Sequence, residues 1–161
     1  MLSRLATTLL LATVWLNASA DDHQHAHSSM HLEASQAWSR AMPPTAPTGA
    51  VYFTLHNPGD AEDRLIGVKT PRAEKAELHA HIHEGDLMRM ERIDGVTVPA
   101  GGDVQFKPGG NHVMLFNLNA PLVAGEQFPL TLIFRDAGEI ETEVTIRDQA
   151  PDTGGSTHAH H

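Results

Sequence analysis

Seven residues between positions 79 and 114 carry the side chains best suited to chemistry: His79, His81, His83, Met88, Met90, His112 and Met114. They account for four of the twelve histidines and three of the six methionines, so borderline and soft donors are concentrated in one stretch. Read as strands, 79/81/83, 88/90 and 112/114 are i, i+2 sets. Alternate residues of a strand project from one face, so each set is presented together. Imidazole and thioether converging from neighbouring strands suit a soft monovalent ion, copper(I) first. Such a set discriminates against zinc, which prefers thiolate, imidazole and carboxylate.

The candidate ligands are His79, Met90, His112 and Met114. Two imidazoles and two neutral thioethers leave the ion's single charge uncompensated and hold it less permanently than a thiolate cage. That suits delivery more than storage. Each residue taken alone has a plainer role. A methionine such as Met88, Met90 or Met114 usually packs in a core, and His112 near a turn can be a satisfied histidine. Three separate segments each offering a soft donor shift the balance towards metal binding. The Pro108-Gly109-Gly110-Asn111 run before His112 lets backbone approach closely and puts the ligand strand near a barrel rim.

The elements that must position these residues are short strands punctuated by turn residues. Strands are expected over 33–40, 49–57, 63–70, 76–83, 87–93, 96–99, 104–107, 111–118, 127–136 and 140–147. In the second, Val51, Phe53 and Leu55 alternate with Tyr52, Thr54 and His56. Asn57-Pro58-Gly59-Asp60 and Pro99-Ala100-Gly101-Gly102 are turn signals, and His83-Glu84-Gly85-Asp86 reads as a hairpin connection. About nine short strands at regular spacing, with no long helix, predict an all-β Greek-key barrel or sandwich.

The flanks read differently. Arg4, the apolar run 5–16 and Ala18-Ser19-Ala20 form a signal peptide cleaved after Ala20, leaving the protein exported. The run is shorter than the about 20 residues of a membrane span, although an uncleaved anchor is the alternative. Residues 21–32 form a flexible His/Met-rich segment with His23, His25 and His27. Residues 148–161 form a flexible tail with His158, His160 and His161. Both are candidate auxiliary metal sites or simply solvated tails. The organisation is therefore signal 1–20, tail 21–32, domain 33–147 and tail 148–161.

Composition narrows the function. Removing Arg4 with the signal leaves ten basic against 20 acidic residues, a net charge of −10. Nucleic acid and anionic lipid surfaces are poor partners for such a chain. There is no cysteine, hence no disulfide, no thiolate nucleophile and no blue-copper site, which needs a Cys ligand. In an oxidising compartment a His/Met site cannot be lost to disulfide formation.

The spacing resembles a known family. His79, ten residues, Met90, twenty-one residues, His112, one residue and Met114 is similar to the signature of the periplasmic PCu(A)C copper chaperones. Flanking segments match too: Ala37-Trp38-Ser39-Arg40, Gly49-Ala50-Val51-Tyr52, Ala76-Glu77-Leu78-His79, Met88-Arg89-Met90, Val98 to Gly102 and Lys107 to Leu115. The resemblance covers roughly residues 33–147. It implies a cupredoxin-like β-barrel binding one copper(I) through these four residues. It also implies delivery in the periplasm towards the binuclear copper site of cytochrome c oxidase. The partners would be that copper-site subunit or other oxidase assembly proteins, with no nucleic acid and no stable membrane insertion. His-rich extensions in the family imply copper(II) at the tails. One departure stands out: family members often have Met two residues after the first ligand histidine, where this chain has His81. With His83, this makes a denser imidazole cluster that could recruit copper(II) or zinc beside the main site. Met88 is expected to back the site or pack in the core.

The alternative function is a periplasmic copper or zinc buffer without a dedicated acceptor. An enzyme is a weaker reading. Catalytic zinc wants three N/O ligands, an open water position and a nearby carboxylate base. Glu77 and Glu84 are near the histidines, but Glu77 is more simply a solvated strand residue. A structural β-domain with incidental histidines is the third possibility.

Overall fold

The computed structural model describes residues 31–151, which form ten β-strands and no helix. The strands are β1 (Glu33–Arg40), β2 (Thr48–His56), β3 (Asp63–Lys69), β4 (Ala73–Glu84) and β5 (Leu87–Arg92). They continue as β6 (Val96–Val98), β7 (Asp103–Phe106), β8 (His112–Leu118), β9 (Gln127–Phe134) and β10 (Gly138–Arg147). Ten strands form where the sequence predicts ten segments, reckoned as about nine. All ten expected segments form, and most of the differences are at strand ends, where β4 runs longer on both sides. The signal segment, the histidines at 23, 25 and 27, and those at 158, 160 and 161 lie outside the described residues.

The strands form one sheet in the order β5-β4-β8-β2-β1-β10-β9-β3-β6, with β7 also paired to β2. All pairings are antiparallel except β1 with β10. β2 is shared along its length. Thr48 to Val51 pair with β8, and Phe53 to His56 pair with β7. Strand alternation explains why the sheet curls around a core. Val51, Phe53 and Leu55 point inward from β2, Leu78 from β4, Val113 and Leu115 from β8. Leu130, Leu132, Phe134, Val144 and Ile146 join them from β9 and β10, all nearly fully buried. Burial of these apolar side chains is the main force closing the sheet.

Two polar residues hold the turns. Asn57 is buried, and its amide donates to the carbonyls of Ala61 and Val98 while its oxygen accepts from the Gly59 N–H. Asp63, also buried, accepts from the backbone N–H groups of Arg64, Asp136 and Ala137 at 2.6, 3.0 and 2.8 Å. It thereby ties β3 to the β9–β10 turn. In β1 a bulge falls between Ser35 and Trp38, where Gln36 has φ 53°. The extra residue re-aims the strand so that Trp38 lies opposite Tyr52, their ring centroids 4.8 Å apart.

Candidate metal site on the β5-β4-β8 face

The registers of β4, β5 and β8 bring most of the expected donors onto one outer face. In the β4–β8 pair, Leu78 opposes Val113 on the core side, so the alternate residues face outward. His79 opposes His112, Glu77 opposes Met114 and Lys75 opposes Phe116. In the β4–β5 pair, Met90 opposes His81, Met88 opposes His83, and Arg92 opposes His79. Met90 is therefore diagonal to His79, and directly opposed residues stand about 5 Å apart at Cβ with diagonal neighbours at about 7 Å. A long thioether side chain spans that gap.

The hairpin that delivers Met90 is a two-residue turn, Gly85-Asp86, between paired Glu84 and Leu87. Gly85 has φ +63°, a conformation in which a Cβ would be strained. The turn fixes the register, and a one-residue slip would move Met90 to the opposite face.

The imidazoles are close. Ring centroids are 5.9 Å apart for His79 and His112, and 5.1 Å for His81 and His112. His112 is buried, and its Nδ1 lies 3.0 Å from the Gly110 carbonyl oxygen. A carbonyl only accepts, so Nδ1 carries the hydrogen and, in the neutral ring, Nε2 keeps a free lone pair. The Gly110 carbonyl also receives the His81 N–H at 3.3 Å. Burial lowers the His112 pKa, with the facing His81 and His79 adding to the effect against the opposing Gly110 bond. The shift favours the neutral ring, the form that binds metal.

His79 is oriented by Glu77, whose Oε2 lies 3.1 Å from Nε2. The Glu77 side chain is only 15% exposed and also pairs with Lys75 at 3.3 Å and Arg92 at 3.7 Å. The His79 bond is the largest cause holding the Glu77 carboxyl below its usual range, with Lys75 and Arg92 helping and burial opposing. An ionised carboxylate takes the Nε2 hydrogen and leaves the His79 Nδ1 lone pair free. That Nδ1 and the Nδ1 of His81 are buried with no hydrogen-bond partner. Buried polar atoms are normally paired, so two orphaned ring nitrogens on one face mark donors suited to a ligand. Phe116 lies beside His79, and Tyr52 and Trp38 extend the wall behind His112.

Two expectations are corrected. Met88 neither packs in the core nor backs the site: it is 61% exposed opposite exposed His83, towards the tip of the hairpin. Glu77 is not a solvated strand residue but the partner of a candidate ligand. Its position two residues before His79 places it on the same strand face, a signal legible in the spacing. The Gly110 carbonyl had no side-chain signal at all. Among the described residues no three His, Asp or Glu side chains stand ready to hold a metal by themselves.

The fold and site together define an all-β barrel presenting imidazole and thioether donors on one outer sheet face. A family model, described as "Putative lipoprotein LpqE-like", matches residues 32–146, so the chain belongs to the LpqE-like family. The "Putative lipoprotein Lxx21020" of Leifsonia xyli subsp. xyli is 30% identical over 120 residues, 73% of this chain and 70% of that protein. The copper-bound PCuAC domain from PmoF2 is 26% identical, with TM-score 0.61 over 73% of this chain and 93% of that one. The solution structure of CuI-DR1885 from Deinococcus radiodurans is 33% identical, with TM-score 0.58 over 70% and 76%. These likenesses place the chain with the PCu(A)C copper chaperones and its fold with their cupredoxin-like domains.

Proposed function

We propose that the protein is a periplasmic copper(I) metallochaperone that delivers its ion towards the binuclear copper site of cytochrome c oxidase. Copper is the cargo, held by His79, Met90, His112 and Met114. The observation that carries this reading is the convergence of these donors on one face, with the His79 Nδ1 buried and unpartnered. Two of the similar structures are copper-bound by their names, one of them with copper(I).

The arrangement also suits release. β5 is an edge strand, and Met90 is 49% exposed beside exposed Leu87 and Met88. An incoming protein can replace the outermost thioether first while the more deeply set imidazoles retain the ion, so copper passes by ligand exchange without entering water. On this reading the protein carries its ion and catalyses no reaction. The lipoprotein name of the relative and the leader-like start support an exported location. Among the described residues no helix is long and apolar enough to cross a membrane. The His-bearing segments 21–32 and 148–161 would collect copper(II).

The test is copper(I) titration of the protein against a chromophoric chelator, beside a Met90→Ala/Met114→Ala variant. One tight equivalent lost in the variant supports the site, and unchanged binding defeats it. Oxidase activity in a deletion strain under copper limitation then tests delivery: a loss supports it. Copper sensitivity with normal oxidase makes the protein a buffer instead.

A further inference from the structure

His81 is the donor on this face that the four-ligand site leaves unused. It opposes Met90 across β4–β5, and its ring stands closer to His112 than that of His79 does. Its Nδ1 is buried without a hydrogen-bond partner, as is that of His79. The His112 Nε2 is left free because Nδ1 bonds Gly110. Three imidazoles on two adjacent strands thus each have one uncommitted nitrogen.

Geometry decides whether they can share an ion. With a metal–nitrogen bond of about 2.0 Å, the ion sits roughly 3.1 Å from an imidazole centroid. Two rings on one ion then have centroids between roughly 4.5 Å at a right angle and roughly 6.3 Å when opposed. The observed 5.1 and 5.9 Å fall inside that range. The rings do not yet converge as a metal-holding group, so side-chain rotation must complete the set.

Three nitrogens without sulfur suit a different ion from the one that thioethers select. Divalent copper prefers tetragonal nitrogen and oxygen donors and outcompetes other first-row divalent ions at such sets. Resting on the copper reading above, we propose that His81 gives this face a second binding mode, in which His79, His81 and His112 hold copper(II). The face then has two overlapping donor sets. Copper(I) is held by two imidazoles and two thioethers, and copper(II) by three imidazoles with water completing the coordination. His79 and His112 serve both, so the two ions exclude each other.

The experiment uses the full exported chain, nitrogen-15 labelled, with one equivalent of copper(II). The paramagnetic ion broadens amide signals near it, so it reports location even though the tails carry histidines. In the parent protein the amides around 79–82 and 110–113 are expected to broaden. In His81→Met their broadening is lost and the affinity of the barrel for copper(II) falls at least about tenfold. Unchanged spectra elsewhere in the barrel confirm that the variant is folded. Broadening confined to the tails of the parent, or equal at the barrel in both proteins, overturns the proposal. Copper(I) titration of the parent separates the two readings. A parent that takes copper(I) but keeps copper(II) off the barrel refutes only the second mode, whereas failure to bind copper(I) refutes the chaperone reading itself.

Discussion

Glu77 offers the sharpest test of how the sheet prepares a ligand. Glu77→Ala removes the acceptor of the His79 Nε2 hydrogen from a pair whose side chains are 12% and 15% exposed. The other partners of Glu77 cannot account for a large effect. Lys75 and Arg92 are 59% and 68% exposed, and ion pairs of that kind contribute little. The loss therefore falls on His79, whose ring becomes free to rotate and to move its proton to Nδ1. Removing such an outer partner of a metal-binding histidine costs about 10- to 100-fold in affinity, or roughly 1.4–2.7 kcal/mol. Glu77→Gln keeps an oxygen acceptor without the charge and should lose less than about tenfold. The assay is copper(I) competition on the three proteins, with long-range proton–nitrogen spectra of the metal-free forms to read the tautomer. Parent and Glu77→Gln should show His79 protonated at Nε2, and Glu77→Ala a mixture. An alanine variant within about twofold of the parent, or an unchanged tautomer, refutes the argument.

Two stability predictions follow from the scaffold. Burial pushes the Asp63 carboxyl up, but the N–H donors of Arg64, Ala137 and Asp136, with Arg135, outweigh it and hold the pKa below the usual range. A depressed folded pKa means that the stabilisation is present above the unfolded value, about 3.9, and is lost as pH falls through the folded one. Asp63→Asn should cost about 2–4 kcal/mol at neutral pH, with the gap to the parent narrowing as pH falls below the unfolded value of about 3.9. The fluorescence of buried Trp38 follows both unfolding curves, and a pH-independent gap would contradict the assignment. At Gly95, an added Cβ would lie 2.5 Å from the Leu65 carbonyl oxygen and 2.8 Å from the Arg64 Nε. Gly95→Ala should lower the urea midpoint, at a cost of about 1–3 kcal/mol, and an unshifted midpoint would show that the backbone yields freely there.

Much of this protein follows from the chain alone. Period-2 alternation and the Gly, Pro and Asn turns specify where strands start and stop because local sterics and burial act within a few residues. That is why β2 and β8 were legible almost to the residue. The spacing of His79, Met90, His112 and Met114, with the absence of cysteine, specified a soft-metal donor set because ligand type is a property of the side chain. Met88 was misjudged because its exposure depends on where the hairpin ends relative to the rest of the sheet. Which donors meet is likewise decided only in three dimensions. The β4–β5 register puts Met90 opposite His81 rather than His79. The fold also buries Glu77 against His79 and brings the Gly110 carbonyl to His112. Glu77 and Gly110 lie two residues from their histidines, but that face is half-buried only once β4 and β8 pair. His79 meets His112 only because β4 pairs with β8, segments some thirty residues apart, and pairing of that range is set by the closure of the whole sheet around its core.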